Sequence, residues 1–175
     1  MRRTVDDAEA MESLGRDLGR QLRAGDLVVL TGPLGAGKTT LTRGIGDGLG
    51  VRGPVQSPTF VLARTHPTLV GGPPLVHVDA YRLGSAAELE DLDLDLAGSV
   101  VVVEWGAGLL DGAAESWLEV VIARRRGGEA DAASGPLDDD ELDADEPRTV
   151  ELVGHGPRWA ATAYSSQARL GPGSA

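Results

Sequence analysis

The sequence predicts an α/β fold: three layers about a mixed central sheet that an antiparallel hairpin closes. Three observations predict it. Short apolar runs of strand length, Leu27–Leu30, Leu75–Val78 and Val100–Val103, alternate with segments of helical periodicity. A glycine-rich loop, Gly32 to Thr39, joins the first of these runs to a helical stripe. Two further strand-like runs, Leu118–Ala123 and Thr149–Val153, follow with no helix between them.

Taken in order, Thr4 with Asp6 and Asp7 reads as a helix start, a capping hydroxyl followed by acids. Met11, Leu14, Leu18 and Leu22 then mark one apolar helical face, and Gly25-Asp26 turns the chain into the run Leu27-Val28-Val29-Leu30. That run reads as a buried parallel strand. After the glycine loop, Leu41, Ile45 and Leu49 recur every four residues and Gly50 is placed to cap the helix. Residues 52–59 form a loop, Phe60 to Thr65 reads as a strand, and residues 66–74 form a second loop. Leu75 to Asp79 is a strand ending in a carboxylate; residues 85–92 read as a short helix; Val100 to Val103 is a strand ending in Glu104-Trp105. Gly106 to Gly112 is a turn or short helix, and Arg158 to Leu170 a final helix. One domain, 1–170, is expected, with a frayed tail at 171–175.

The chain of 175 residues carries a net charge of −11, but nine of its acids lie in residues 127–147, which hold no base. Without that segment the net charge is −2, so the acidity describes one loop and not the surface. Its Asp, Glu, Ala, Gly and Pro cannot bury enough apolar area to order themselves, and a disordered acidic insertion is expected there. No basic stripe marks direct nucleic-acid binding. The absence of cysteine excludes disulfides and thiolate metal sites. No apolar run approaches a membrane span, and a soluble cytoplasmic protein is expected.

The loop G-P-L-G-A-G-K-T fits the phosphate-loop pattern G-x4-G-K-[ST], in the strand–loop–helix setting that pattern requires. Glycines let main-chain N–H groups close on a polyphosphate, and the helix start adds unpaired donors and partial positive charge. Lys38 is suited to reach the terminal phosphates and the Thr39 hydroxyl to ligate Mg2+. Lys38 is also the only lysine; every other cationic side chain is arginine. In open α/β sheets ligands lie at the carboxyl ends of strands, where Asp79 and Glu104 fall. Nucleotide hydrolysis needs two carboxylate tasks done, one toward the metal and one toward the attacking water. His77 shares a face with Asp79 and could orient it, but reads first as packing; Trp105 could flank the nucleotide, but reads first as core. Ser57 and Thr59 stand either as turn residues about Pro58 or as a loop sensing the terminal phosphate. Guanine nucleotides are excluded, since their N-K-x-D element needs a second lysine; ATP is the expected nucleotide. The fold expected is therefore that of the P-loop nucleoside triphosphatases.

P-L-G-A-G-K-T-T at 33–40, S-P-T-F at 57–60, H-V-D-A-Y-R-L at 77–83 and V-E-W at 103–105 resemble, in order and spacing, the TsaE (YjeE) family. That family is the ATPase subunit of bacterial tRNA threonylcarbamoyladenosine modification. The resemblance implies a small ATPase working with TsaB-like and TsaD-like partners and meeting tRNA through that complex; slow turnover in isolation is expected because no arginine finger is evident in the sequence. It implies that Gly35, Ala36, Gly37, Lys38, Thr39 and Thr40 bind the nucleotide. It also implies that Thr39 and Glu104 hold Mg2+, that Asp79 and Lys38 are catalytic, and that the Ser57–Phe60 loop switches. The sequence departs from the family at Gly106, where many relatives have proline, and in the acidic insertion. A nucleotide-contacting arginine would have to be Arg126 or Arg148. The alternative is a small-molecule kinase with Arg124-Arg125-Arg126 as a lid; a nucleotide-binding scaffold without catalysis is a third reading.

Overall fold

A computed structural model describes residues 1–58, 61–83, 88, 94–106, 108, 114–124 and 146–166. Its described elements are β1 (Arg2–Val5), α1 (Ala8–Gly19), β2 (Leu27–Thr31), α2 (Lys38–Leu49), β3 (Ala63–His66), β4 (Leu75–Asp79), β5 (Val100–Glu104), β6 (Trp117–Arg124) and β7 (Arg148–His155). The seven strands form one mixed sheet in the order β1-β7-β6-β2-β5-β4-β3. Its middle, β6-β2-β5-β4, is parallel. β3 joins β4 antiparallel, and β7 pairs antiparallel with both β6 and β1.

The central runs are apolar throughout because both their faces are covered. Alternate residues take alternate sides. Val28, Leu30, Val100 and Val102 pack with Met11, Leu14, Leu41 and Ile45 under α1 and α2. Leu27, Val29, Val101 and Val103 form a second cluster with Val76 and Val78 on the opposite face, against which Leu83, Leu94, Ala114 and Trp117 pack. Both described helices thus lie on one side. The expected helix at 85–92, which would belong to a third layer, lies outside the described residues apart from Glu88. The acidic segment lies outside them too, save Glu146 and Pro147 at its end, as do the tail and most of Gly106 to Gly112.

α1 and α2 meet through glycine. A Cβ on Gly15 would stand 2.4 Å from the Leu41 carbonyl oxygen, and one on Gly44 2.2 Å from that of Glu12. Gly19 and Gly48 face the opposing backbone at 2.4 Å in the same way. The ion pairs Arg16–Asp47 and Arg43–Glu12 cross this contact at 4.0 and 3.9 Å, half-exposed, and add little.

Three expectations are corrected. Thr4 is not a helix cap: it lies in β1, opposite Thr149, and Asp7 caps α1 by accepting the Ala10 N–H at 2.7 Å. Val61 and Leu62 do not start a strand. Their N–H groups both bond to the Pro58 carbonyl at 2.9 Å, Leu62 is left-handed at φ 65°, and β3 begins only at Ala63. Phe60 lies outside the described residues. Among the described residues, which end at 166, the expected final helix is replaced by a 3-10 turn, Pro157–Trp159, and further turns: Trp159 fills the core and the Tyr164 carbonyl is taken by the Gly154 N–H of β7 at 2.6 Å. By contrast Gly50, left-handed at φ 68°, closes α2 as expected.

Candidate functional site

The register of the parallel strands builds the site. β2 runs between β5 and β6, and β4 lies beyond β5, so the carboxyl ends of β2, β5 and β4 stand in a row. Asp79 and Glu104 are register partners at the ends of β4 and β5. The loop leaving β2 arches over the sheet and delivers α2 at Lys38. Gly32 sits so close to β6 that a Cβ would stand 2.5 Å from the Ile122 carbonyl oxygen. Gly35 and Gly37 have φ of 67° and 97°, a region side chains other than glycine's rarely adopt. Gly37 is the residue before α2, so the turn and the helix's free N–H groups open together.

A cleft of about 620 Å³ results, lined by residues 34–40, Arg43, Gln56, Ser57, Asp79, Tyr81, Glu104 and Trp105. All the residues expected at the site by sequence line it: Gly35, Ala36, Gly37, Lys38, Thr39, Thr40, Asp79 and Glu104. The buried Lys38 ammonium bonds to the carbonyls of Gly32 and Pro33, each at 3.0 Å, and lies 3.7 Å from the centre of the Trp105 ring. Burial holds its pKa below the usual lysine value, partly offset by the charges of Glu104 and then Asp79. The Thr39 hydroxyl donates to Glu104 Oε1 at 3.0 Å. Asp79 Oδ1 accepts the Tyr81 N–H at 3.0 Å, capping the short turn Ala80–Arg82 while its carboxylate lines the cleft.

Trp105 is not core. It is left-handed at φ 63°, roofs Lys38, and takes the edge of the exposed Tyr81 ring at 5.3 Å. His77 is wholly buried, as packing would require, but its Nε2 lies 2.8 Å from Glu104 Oε1. Arg43 enters the cleft unforeseen; it stands four residues after Thr39, one helical turn on, and that spacing was the available signal. Arg148 does not line the cleft. It is buried behind the loop, beside a small void shared with Asp7, Met11, Gly37 and Thr40. Arg126, Thr59 and Phe60 lie outside the described residues.

Chemically, the cleft offers an ammonium and free N–H groups to an anion, and beside them hard oxygen donors to a cation. Thr39 and Glu104 already meet, and Mg2+ is commonly held by one or two carboxylates together with phosphate oxygens. Among the described residues no cluster of three or more His, Asp or Glu forms a metal cage, so a cation here would need oxygens from its ligand.

Residues 5–130 match the family of the threonylcarbamoyl adenosine biosynthesis protein TsaE. The chain belongs to the TsaE family. The tRNA threonylcarbamoyladenosine biosynthesis protein TsaE of Streptomyces coelicolor is 56% identical over 158 residues, 89% of this chain and 97% of its own. TsaE of Mycobacterium leprae is 54% identical over 65% of this chain and 76% of its own, and that of Bacillus subtilis 40% identical over 58% and 64%. The crystal structure of YdiB from Bacillus subtilis superposes with a TM-score of 0.62 at 26% identity, over 90% of this chain and 86% of that one. The family match ends before β7, but the Streptomyces TsaE aligns over nearly its whole length. TsaE membership is what the motifs at 33–40, 57–60, 77–83 and 103–105 anticipate. No helix among the described residues is long and apolar enough to cross a membrane.

Proposed function

We propose that the chain is a cytoplasmic P-loop ATPase that binds and hydrolyses Mg-ATP in this cleft. It serves as an accessory subunit to TsaD-like and TsaB-like proteins in tRNA N6-threonylcarbamoyladenosine modification, and meets tRNA through them. Residues 1–170 act as one domain, with 127–147 inserted between β6 and β7. The observation that supports this most is the convergence of Lys38, Thr39, Asp79 and Glu104 where β2, β5 and β4 end.

Gly35, Ala36, Gly37 and the first N–H groups of α2, through Thr40, cradle the phosphates. Lys38 moves from its loop carbonyls to the terminal phosphates and offsets charge that grows on the leaving oxygens. Thr39 and Glu104 would hold Mg2+, which supplies charge neutralisation across the phosphates when bound. Asp79 orients and deprotonates the attacking water. The described arginine that lines the cleft, Arg43, sits on α2 and faces Glu12 at 3.9 Å, and slow turnover of the isolated chain is expected.

The test is retention of ATP with Mg2+ and release of free phosphate, with and without the partner pair. Lys38→Ala should lose at least tenfold in ATP affinity, and the partners should change the rate. Equal ATP retention by Lys38→Ala removes the nucleotide reading. Transfer of the phosphate to a small alcohol or nucleoside, instead of its release, points to the kinase.

A further inference from the structure

Among the buried polar groups beside the cleft, one has no task in the scheme above. His77 is 0% exposed, in the middle of β4, with apolar neighbours Val76 and Val78. Its Nε2 lies 2.8 Å from Glu104 Oε1. A carboxylate oxygen only accepts, which puts the proton on Nε2. Nδ1 is then a bare acceptor, and no described residue donates to it. A buried acceptor without a partner has given up its hydration and gained nothing in return. An apolar side chain of similar volume would fill the position without that cost, so packing alone does not account for an imidazole here.

Glu104 supplies the reason. Both hydrogen bonds it accepts from described residues, from Thr39 at 3.0 Å and His77 at 2.8 Å, fall on Oε1. No described residue donates to Oε2. The carboxylate is therefore pinned by one oxygen while the other keeps its lone pairs. Parallel register makes this possible: His77 is opposite Val102, two residues short of Glu104, and all three share the sheet face beneath α2.

We propose that His77 is a positioning residue. By donating Nε2–H to Glu104 Oε1 it orients the carboxylate and reserves Oε2 for the divalent cation that accompanies the nucleotide. This rests on the reading of Thr39 and Glu104 as the cation's protein ligands.

The experiment titrates Mg2+ into the full chain with ATP and reads ATP binding by calorimetry, with Mg2+-free ATP binding measured separately. His77→Leu should need about tenfold more Mg2+ for half-maximal binding, as loss of a hydrogen bond behind a metal ligand typically costs. Its Mg2+-free affinity should stay within twofold of wild type. His77→Gln, whose amide nitrogen reaches as far as Nε2, should restore the wild-type requirement; His77→Asn, too short to reach Glu104, should not. If His77→Leu does not fold, the Gln and Asn pair carries the same comparison. Wild-type binding that ignores Mg2+ removes the cation reading as a whole. Mg2+-dependent wild-type binding with an unchanged requirement in His77→Leu or His77→Asn overturns the positioning role alone. So does a loss that is equal with and without Mg2+.

Discussion

Gly44→Ala sets two well-measured effects against each other at one atom. In an exposed helix interior this change stabilises by about 1 kcal/mol, since glycine is the poorer helix former. At Gly44 the added Cβ would lie 2.2 Å from the Glu12 carbonyl oxygen and 2.9 Å from Gly15 Cα. Both are backbone of α1, so no rotamer change relieves the clash, and α1 and α2 must part by about 1 Å. Overpacking of this kind costs about 1–3 kcal/mol, and the rigid neighbours place it at the upper end. The net expectation is a loss of about 2 kcal/mol. In a chain of this size that lowers the melting temperature by about 4–8 °C. Urea unfolding followed by far-UV circular dichroism measures it. Gly15→Ala faces the same contact, so the double variant should lose less than the two single losses combined, because the helices have already separated. There is a functional consequence as well. α2 begins at Lys38, so displacing it carries Lys38 and Thr39 away from Glu104 and should weaken ATP binding several-fold. A Gly44→Ala protein more stable than wild type would show that the helices are not in backbone contact and refute the reasoning.

Two further outcomes follow from buried charge and buried imidazole. Arg158 grips Asp26 with two hydrogen bonds, 2.8 and 2.9 Å, joining the turn Pro157–Trp159 to the residue before β2; Asp26 is buried. Arg158→Met leaves that carboxylate with only the Arg23 N–H and should cost about 3 kcal/mol in urea unfolding, part of which Asp26→Asn added to it should restore. Burial lowers the pKa of His66 below the ordinary histidine value of 6.5; the Arg64 charge pushes the same way, against the raising effect of a hydrogen bond with the Arg52 backbone. The unfolded chain therefore takes up a proton that the folded chain refuses, so this contribution to stability is whole above pH 6.5 and drains away as pH falls toward the folded value. Melting temperatures between pH 7.5 and 5 should fall more steeply in wild type than in His66→Gln; parallel curves would assign the slope to other groups.

What could be read from the sequence is what local chemistry dictates. Leu27–Leu30 is apolar at four successive positions because two faces are covered, and it was legible as a parallel strand for that reason. The loop after it was legible because phosphate chemistry and backbone geometry both restrict its residues. Asp79 and Glu104 were legible as strand-end acids, and their register pairing follows from strands of equal length. What escaped is set by partners distant in sequence. β1 has only Val5 buried, so no alternation marks it, and its pairing residues lie in β7. Gly15, Gly19, Gly44 and Gly48 look like weaknesses of two helices until each is set against the other's backbone. Val61 and Leu62 carry the composition of a strand, but the Pro58 carbonyl takes their N–H groups into a turn. Trp105 is assigned to core by hydrophobicity and to the cleft by geometry, while His77 is buried as packing requires and still bonds to Glu104; composition cannot separate such cases.

The charges in the cleft constrain its ligand. One ammonium stands among two carboxylates, Asp79 and Glu104, all three largely withdrawn from water. That buried set is net negative by one, with the exposed Arg43 guanidinium the remaining charge of the lining, and a bare polyphosphate brought to Lys38 would meet both acids at close range, where low dielectric strengthens repulsion as much as attraction. Two acids beside an anion cradle are consistent only if a cation arrives with the anion. The Thr39 hydroxyl, which donates to Glu104 Oε1 at 3.0 Å, and the Glu104 carboxylate would then hold that cation together. The same event would draw Lys38 from the Gly32 and Pro33 carbonyls that hold it at 3.0 Å. Under the proposed function the loop and the acids are therefore a single device whose parts oppose one another until nucleotide and metal enter together. The refuting result is simple: ATP binding as tight in chelator as in Mg2+, with Glu104→Gln no different in either, would leave the two carboxylates without a reason to be there.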